Sequence, residues 1–208
     1  YLFDAHFSSD WRDRMLDAPS WERIADIPDH AFWSTHQSIK TTLLDELRRT
    51  RAFADVRLTF LAAVAKAVSS ALARHPEVNS RWNEAEQTIT QFSRLGLGIA
   101  AATPRGLLVP VIHDAHALDL AALASALGEL TATAKAGETR PANLTGGTFT
   151  ITNVGVFGVD AGTPIINNGE AAILAVGAVT RRPWEWHGEV ALRDVVTLTL
   201  SFDHRVLD

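Results

Sequence analysis

The amino-acid sequence predicts an α/β fold in which helices cover one mixed β-sheet. Apolar residues follow helical spacing up to about residue 75, alternate between residues 88 and 112, and return to helical spacing from residue 118. Alternation resumes at residue 147. Because helices and strands come in runs, the pattern argues against a regular doubly wound sheet. Apolar residues make up 47% of the 208 residues, which is enough for a substantial core.

Three helices account for the segments with helical spacing. Residues Thr41 to Arg51 end in a basic turn, which suits the negative end of a helix dipole. The segment from Arg57 to Arg74 carries an apolar stripe on one side, and Pro76 ends it. A third helix, rich in alanine and leucine, is predicted from residue 118 to about residue 135.

Six strands account for the alternating segments. They are predicted at residues 88–92, 95–100, 106–112, 147–152, 171–179 and 195–202. Glycines recur inside or beside these strands, which is typical of bulges and turns. Gly96 and Gly98 do not form a dinucleotide-binding loop, because a third glycine at the proper spacing and a following helix are both missing.

The composition argues against several kinds of site and partner. A net charge of -5 gives no reason to expect a nucleic-acid partner, whose phosphates would need basic patches. The absence of cysteine excludes disulfides, thiolate metal sites and a cysteine nucleophile, and it favours a cytoplasmic location. No segment approaches the roughly 20 apolar residues that a membrane helix needs, so no membrane association is expected. His113 and His116 flank Asp114, but two histidines without a third ligand are usually solvated, so no metal site is predicted.

The last eight residues carry a candidate general base. The strand that ends at Phe202 is followed by His204, and Asp208 comes four residues later. An imidazole at the mouth of a buried strand is positioned to take a proton from a thiol or hydroxyl group. A lone Asp-His pair is more often an exposed surface turn, so this interpretation depends on the rest of the chain.

Five blocks of sequence, in order, resemble the catalytic domain of dihydrolipoamide acyltransferases, the core components of 2-oxo acid dehydrogenase complexes. The blocks are residues 97–112, 147–155, 163–167, 170–174 and 202–208. The resemblance covers residues 52–208 and implies a chloramphenicol-acetyltransferase-like sandwich. The run from Gly155 to Asp160 looks most like bacterial members of the branched-chain subfamily.

The resemblance implies transfer of an acyl group between dihydrolipoamide and coenzyme A. His204 would take the proton from the attacking thiol, which needs only modest help because its pKa lies near 8.5. The hydroxyl of Thr152 would stabilise the tetrahedral oxyanion. Asp208 would orient the loop or pair with Arg205, and Asp203 and Arg205 would support the histidine from either side.

The resemblance also implies an assembly. The domain would form a homotrimer in which His204 of one subunit faces Thr152 of its neighbour, and trimers would build a hollow cubic or dodecahedral core. Decarboxylase and dihydrolipoamide dehydrogenase components would be its partners. Coenzyme A would be a substrate, and the lipoyl group would be carried on a separate domain that is absent from this chain.

The two ends of the chain depart from the family. Residues 1–50 form a predicted, mostly helical segment that does not match it, so contacts to coenzyme A cannot be carried over. The tryptophans of this segment, Trp11, Trp21 and Trp33, are compatible with burial between subunits or within one chain. Residues 51–208 form the catalytic domain, which is expected to be truncated because the family continues with a glycine, a helix and a strand.

Two other functions fit parts of the sequence. A self-assembling scaffold without catalysis would form a large particle yet release no thioester product. A chloramphenicol-acetyltransferase-like enzyme would share the fold and a histidine at a strand end. That family has two consecutive histidines in this motif, whereas Asp203 precedes His204 here.

Overall fold

The computed structural model describes residues 39–103 and 106–207, and within them three helices and ten strands. The helices are α1 (Ile39–Arg48), α2 (Phe60–Arg74) and α3 (Leu120–Ala136). The strands are β1 (Ser80–Asn83), β2 (Thr88–Gln91), β3 (Leu97–Thr103), β4 (Gly106–Leu108), β5 (Val111–Ile112), β6 (Phe149–Asn153), β7 (Ala172–Val176), β8 (Thr180–Trp186), β9 (Glu189–Val195) and β10 (Leu198–Phe202). The predictions for Trp11, Trp21, Trp33 and Asp208 lie outside the described residues.

Six strands form the predicted mixed sheet, in the order β10-β7-β6-β3-β4, with β5 also paired to β3. The three central strands β3, β6 and β7 run parallel, whereas β10, β4 and β5 are antiparallel to their neighbours. Ile151 is fully buried in the middle of this sheet, between Ile99 on β3 and Leu174 on β7. Strands β3 and β7 are largely continuous apolar runs, which is typical of parallel pairing, whereas Thr150 and Thr152 interrupt the apolar residues of β6.

Helices α2 and α3 pack on the sheet, and their apolar side chains join those of Leu97, Ile99, Phe149 and Ile151 in one core. Side chains alternate along a strand, so Thr150 and Thr152 point to the face opposite these helices. No helix among the described residues is both long enough and apolar enough to cross a membrane.

Both long helices begin later than predicted because a polar side chain caps each one. The hydroxyl of Thr59 accepts a hydrogen bond from the amide of Ala62 (3.2 Å), so α2 begins at Phe60. The carboxylate of Asp119 accepts one from the amide of Ala122 (2.7 Å), so α3 begins at residue 120. Each cap residue has an extended backbone, which ends the helix on its amino-terminal side.

Several strand boundaries differ from the prediction, and each difference has a backbone cause. The strand expected at residues 106–112 is split, because Pro110 has no amide hydrogen and its carbonyl instead accepts from the amide of Ile99 (2.9 Å). Strand β7 ends at Val176. The amide of Gly177 donates to the carbonyl of Thr197 (2.9 Å), and the amide of Ala178 donates to the carbonyl of Val159 (2.8 Å).

Strands β1, β8 and β9 were missed. The hairpin β8–β9 stands outside the main sheet, and its strands carry Pro183, charged residues and exposed apolar side chains such as Val190 and Leu192. A hairpin that buries neither face has no clean alternation of apolar and polar residues, which is the signal that a sequence reading depends on.

Close backbone contacts hold the loops against the edges of the sheet. At Gly96 a Cβ atom would overlap the carbonyl oxygen of Gly146, and at Gly177 it would overlap that of Asp160. In both cases the obstacle is backbone, which cannot move aside as a flexible side chain can. These two glycines therefore set the distance between the sheet and the loops around its edges.

We expect Gly96→Ala to destabilise the folded protein by about 2 kcal/mol or more, because the added methyl group collides with the backbone of Gly146. Gly128→Ala is the matched control. Gly128 lies on the exposed side of α3 with no atom near its Cβ position, so alanine there should stabilise by about 1 kcal/mol. Urea unfolding of both variants measures the difference, and equal effects would contradict the close contact.

Candidate active site

His204 lies in a turn that begins where strand β10 leaves the sheet. The amide of Asp203 donates to the carbonyl of Ala171 (2.8 Å), one residue beyond the last pair of the β10–β7 ladder. The carbonyl of Asp203 then accepts from the amide of Val206 (2.9 Å), which closes the turn. The His204 side chain is exposed, and its ring centroid lies 5.6 Å from that of Phe202. Asp203 is therefore the residue that attaches this turn to the sheet.

Asp203 and Arg205, the residues before and after His204 in the chain, form a bidentate ion pair. The Arg205 guanidinium donates from Nε to Oδ1 (2.9 Å) and from Nη2 to Oδ2 (2.7 Å), and its amide also donates to Oδ1 (3.0 Å). The hydrogen bonds from Arg205 hold the pKa of Asp203 below its usual value against the opposing effect of burial. These bonds join the two residues to each other, and their support of His204 stays a prediction.

A second carboxylate, which was not predicted, binds Arg205 from the other side. Arg205 Nη1 donates to Glu84 Oε2 (2.8 Å), and the guanidinium carbon lies 5.6 Å from the Trp82 ring centroid. Trp82 Nε1 donates to the same oxygen (2.6 Å), and this bond is the main reason that the pKa of Glu84 is lowered. Glu84 and Arg205 lie 121 positions apart, so no local pattern could reveal the contact.

Thr152 lies near the end of β6 and is half-buried. Its partners in register are alanines on both sides, Ala100 on β3 and Ala175 on β7. After β6 the chain turns across the end of β7, where the amide of Val154 donates to the carbonyl of Val176 (3.0 Å). The threonine hydroxyl therefore sits among small side chains at the edge of the sheet where β6 and β7 end.

Thr152 and His204 do not meet within one chain. Thr152 is level with Ala175, whereas Phe202 is level with Ala172, three residues back along β7. This offset separates the two by roughly 10 Å along the strands, and two strand spacings add roughly 10 Å across them. Proton transfer and oxyanion stabilisation need contacts of about 3 Å. A single chain thus brings the two predicted residues to different edges of its sheet.

His113 and His116, where no metal site was predicted, lie beside an open cavity of about 500 Å³. The cavity is at the edge of the sheet where β3 and β6 begin. The Asp114 carboxylate forms an ion pair with Arg94, and Arg94 Nε lies 2.6 Å from Asp114 Oδ1. Nδ1 of His116 accepts from the amide of Leu95 (3.2 Å), while His113 is exposed on the cavity wall. Across residues 39–103 and 106–207 no three acidic or histidine side chains gather in a way that could hold a metal ion.

Comparison with known proteins identifies the family. The model of the 2-oxoacid dehydrogenases acyltransferase (catalytic domain) family matches residues 27–208, and the chain belongs to that family. It is 42% identical over 183 residues to the dihydrolipoyllysine-residue acetyltransferase component of the pyruvate dehydrogenase complex of Mycobacterium tuberculosis, covering 84% of this chain and 33% of that protein. It is 40% identical over 153 residues to the succinyltransferase component of the 2-oxoglutarate dehydrogenase complex of Haemophilus influenzae, covering 74% and 37%.

Solved structures agree with this assignment. The Azotobacter vinelandii dihydrolipoamide acetyltransferase superposes with a TM-score of 0.75 at 30% identity, covering 90% of this chain and 81% of that one. That structure belongs to an investigation of a serine, a histidine and an asparagine in the catalytic mechanism. The cubic core of a pyruvate dehydrogenase multienzyme complex superposes with a TM-score of 0.74 at 32% identity, again covering 90% and 81%.

These comparisons confirm the predicted family and fold class. The chain spans about a third of the length of the two curated relatives named above. The family match begins at residue 27, inside the segment that the sequence analysis set apart, and the division at residue 50 stays a prediction. The branched-chain subfamily also stays a prediction, since those two relatives belong to pyruvate and 2-oxoglutarate complexes.

We expect Asp203→Asn to reduce the free energy of unfolding by about 1 kcal/mol at pH 7, because the ionised carboxylate loses its paired bonds to Arg205. A lowered carboxyl pKa stabilises the fold above the usual value of 3.8, and this contribution is lost as the pH falls through the native pKa. The difference from wild type should therefore shrink towards pH 3. Urea unfolding at both pH values, with the exposed Asp55→Asn as control, measures it. A difference independent of pH would contradict the ion pair.

Proposed function

We propose that this domain transfers an acyl group between a dihydrolipoyl thiol and coenzyme A. The observation that carries the proposal is a match of spacing and chemistry. In the Azotobacter enzyme the serine precedes the histidine by 52 positions, and the asparagine follows it by four. Thr152, His204 and Asp208 have the same two spacings here. Threonine keeps the hydroxyl of serine, and aspartate keeps an acceptor oxygen at the position of asparagine.

The side chains support a direct transfer between two thiols. His204 accepts the thiol proton as the sulfur attacks the thioester carbonyl, and the resulting oxyanion accepts a hydrogen bond from Thr152. When the intermediate collapses, the C–S bond to the first carrier breaks, and the departing thiolate takes the proton back from His204. No proton is gained or lost overall. The exposed His204 ring is accessible to a thiol carried on a long, mobile arm.

The transfer site forms between two copies of the chain in this proposal. The distance between Thr152 and His204 within one chain supports it, since each residue needs a partner from elsewhere. An exposed apolar segment follows Thr152 and offers surface for such a contact, with Phe157 69% and Ile165 91% exposed. Cyclic repetition of one contact between unlike surfaces closes a trimer. The likeness to a cubic core supports assembly of these trimers into a larger particle. In this proposal, decarboxylase and dihydrolipoamide dehydrogenase components are the partners of that particle.

We expect His204→Ala to lower turnover by about 10²–10⁴-fold, because the thiol loses its general base. Acyl transfer from acetyl, isobutyryl and succinyl coenzyme A to dihydrolipoamide, measured with the full-length protein, tests this and identifies the acyl group. Size-exclusion chromatography of the variant should show an unchanged particle. If the wild type forms an intact particle but transfers no acyl group from any of the three donors, the result would instead support a scaffold without catalysis.

We expect Thr152→Ala to lower turnover by about 10²–10³-fold with little change in the affinity for coenzyme A, because the lost hydroxyl acts on the oxyanion. Thr152→Ser keeps the hydroxyl and is the matched control, so it should retain most of the turnover. The same acyl-transfer assay compares the two variants. A serine variant as slow as the alanine variant would rule out the role of the hydroxyl.

Mixed particles test whether two chains share the site. Unfolding and reassembling the His204→Ala and Thr152→Ala proteins together in equal amounts should restore activity to about a quarter of wild type, since about one contact in four would combine both intact residues. Each variant reassembled alone is the control. If a single chain formed the site, the mixture would be no more active than the two separate variants.

A further inference from the structure

A buried carboxyl group that the proposed transfer does not use lies just before strand β7. Glu170 is 6% exposed, and its Oε1 accepts hydrogen bonds from Thr150 Oγ1 (2.9 Å) and Asn167 Nδ2 (2.9 Å). Among the described residues no hydrogen-bond partner reaches its Oε2. Burial raises the pKa of Glu170, opposed by these two hydrogen bonds and by the charge of Arg81. A buried carboxyl with an unmatched oxygen is costly, so its retention calls for a reason.

One side of Glu170 is joined to the strand that carries Thr152. Thr150 is fully buried on β6, two positions before Thr152, so both side chains lie on the face opposite the helices. Two glycines leave room for the bond between Glu170 and Thr150. A Cβ atom at Gly98 would lie 2.6 Å from Thr150 Oγ1, and one at Gly147 would lie 2.9 Å from Glu170 Oε1. The segments that carry Gly98 and Gly147 therefore pack tightly around the hydrogen bond between Glu170 and Thr150.

The other side of Glu170 is joined to the turn that carries His204. The amide of Glu170 donates to the carbonyl of Asn167 (3.1 Å), so side chain and backbone together close a tight turn at residues 167–170. The next residue, Ala171, accepts the amide hydrogen of Asp203 that attaches the His204 turn to the sheet. Any shift of residues 167–171 relative to β6 therefore moves the point at which His204 is held.

We propose that Glu170 is a positioning residue for acyl transfer, one that fixes the His204 turn relative to the Thr152 strand. The inference rests on the proposed function. In a cyclic assembly the Thr152 and His204 of one chain serve two different transfer sites, so Glu170 sets the placement of two half-sites at once. It does so through the acceptor oxygen Oε1 and makes no contact with substrate.

Three variants of the full-length protein test this role. Glu170→Ala and Thr150→Val each remove the bond between β6 and the 167–171 turn, and each should lower kcat about tenfold while KM for both thiol substrates stays within about twofold. Glu170→Gln keeps an acceptor oxygen for Thr150 and Asn167, so it should restore kcat to within about threefold of wild type. The double variant Glu170→Ala/Thr150→Val should be no slower than Glu170→Ala alone, since the bond between Thr150 and Glu170 is already lost in that single variant.

The matched control is Ser69→Ala. Ser69 is 3% exposed and donates to the carbonyl of Ala65 (2.9 Å) within α2, so its loss also removes a buried hydrogen bond, away from the site. We expect that control to leave kcat unchanged. Hydrogen exchange of the Asp203 amide gives a readout independent of activity, and it should be faster in Glu170→Ala and unchanged in Ser69→Ala and His204→Ala.

The possible failures are distinguishable. Wild-type protein without acyl transfer, or a fully active His204→Ala variant, would overturn the proposed function and the role of Glu170 with it. A different result would overturn the positioning role alone. In that case the wild-type protein is active, and Glu170→Ala matches the Ser69→Ala control both in kcat and in the exchange rate of the Asp203 amide. A Glu170→Gln variant as slow as Glu170→Ala would also overturn it, because the acceptor oxygen would then not matter.

Discussion

Strand β7 pairs in parallel with β6 on one side and antiparallel with β10 on the other, and this arrangement sets where the chemical groups of the domain can lie. Because β6 and β7 share a direction, Thr152 near the end of β6 lies at the edge where β7 also ends. Because β10 runs the opposite way, it delivers His204 near the edge where β7 begins. No side-chain rotamer can bridge the resulting separation, which is three residues along β7 and two strand spacings across the sheet. Within one chain, therefore, this topology does not bring the Thr152 hydroxyl to the His204 imidazole.

The same topology explains why polar contacts gather around the His204 turn. Beyond Phe202 the turn has left the ladder, so it depends on the bond from Asp203 to Ala171 and on the ion pairs of Arg205. The pair between Arg205 and Glu84 is exposed and contributes little to global stability by itself. Its effect is local, since it joins the histidine turn to the β1–β2 hairpin. Exposed charges here add to the contact of Leu207, which packs against the hydrophobic core just after the turn.

Much of the architecture could be predicted from periodicity, because the main sheet and its helices bury one face or both. The strands around Ile99 and Ile151 and the helix that ends at Arg74 show this pattern directly. The hairpin β8–β9 could not be predicted in the same way, because residues such as Val190 are exposed on it and the apolar pattern has no fixed period. Helix starts were misplaced by two or three residues, since the capping side chain decides them and the apolar stripe does not.

Residue types and their spacing were enough to predict which chemical groups the domain carries. Thr152, His204 and Asp208 stand at fixed intervals, and their residue types limit the chemistry to a hydroxyl, an imidazole and a carboxylate. Which of these groups come into contact depends on the fold. The separation of Thr152 from His204, and the pairing of Glu170 with Thr150, follow from strand direction and register. Register depends on how whole strands pack together, and that packing is a collective property which no short stretch of sequence contains.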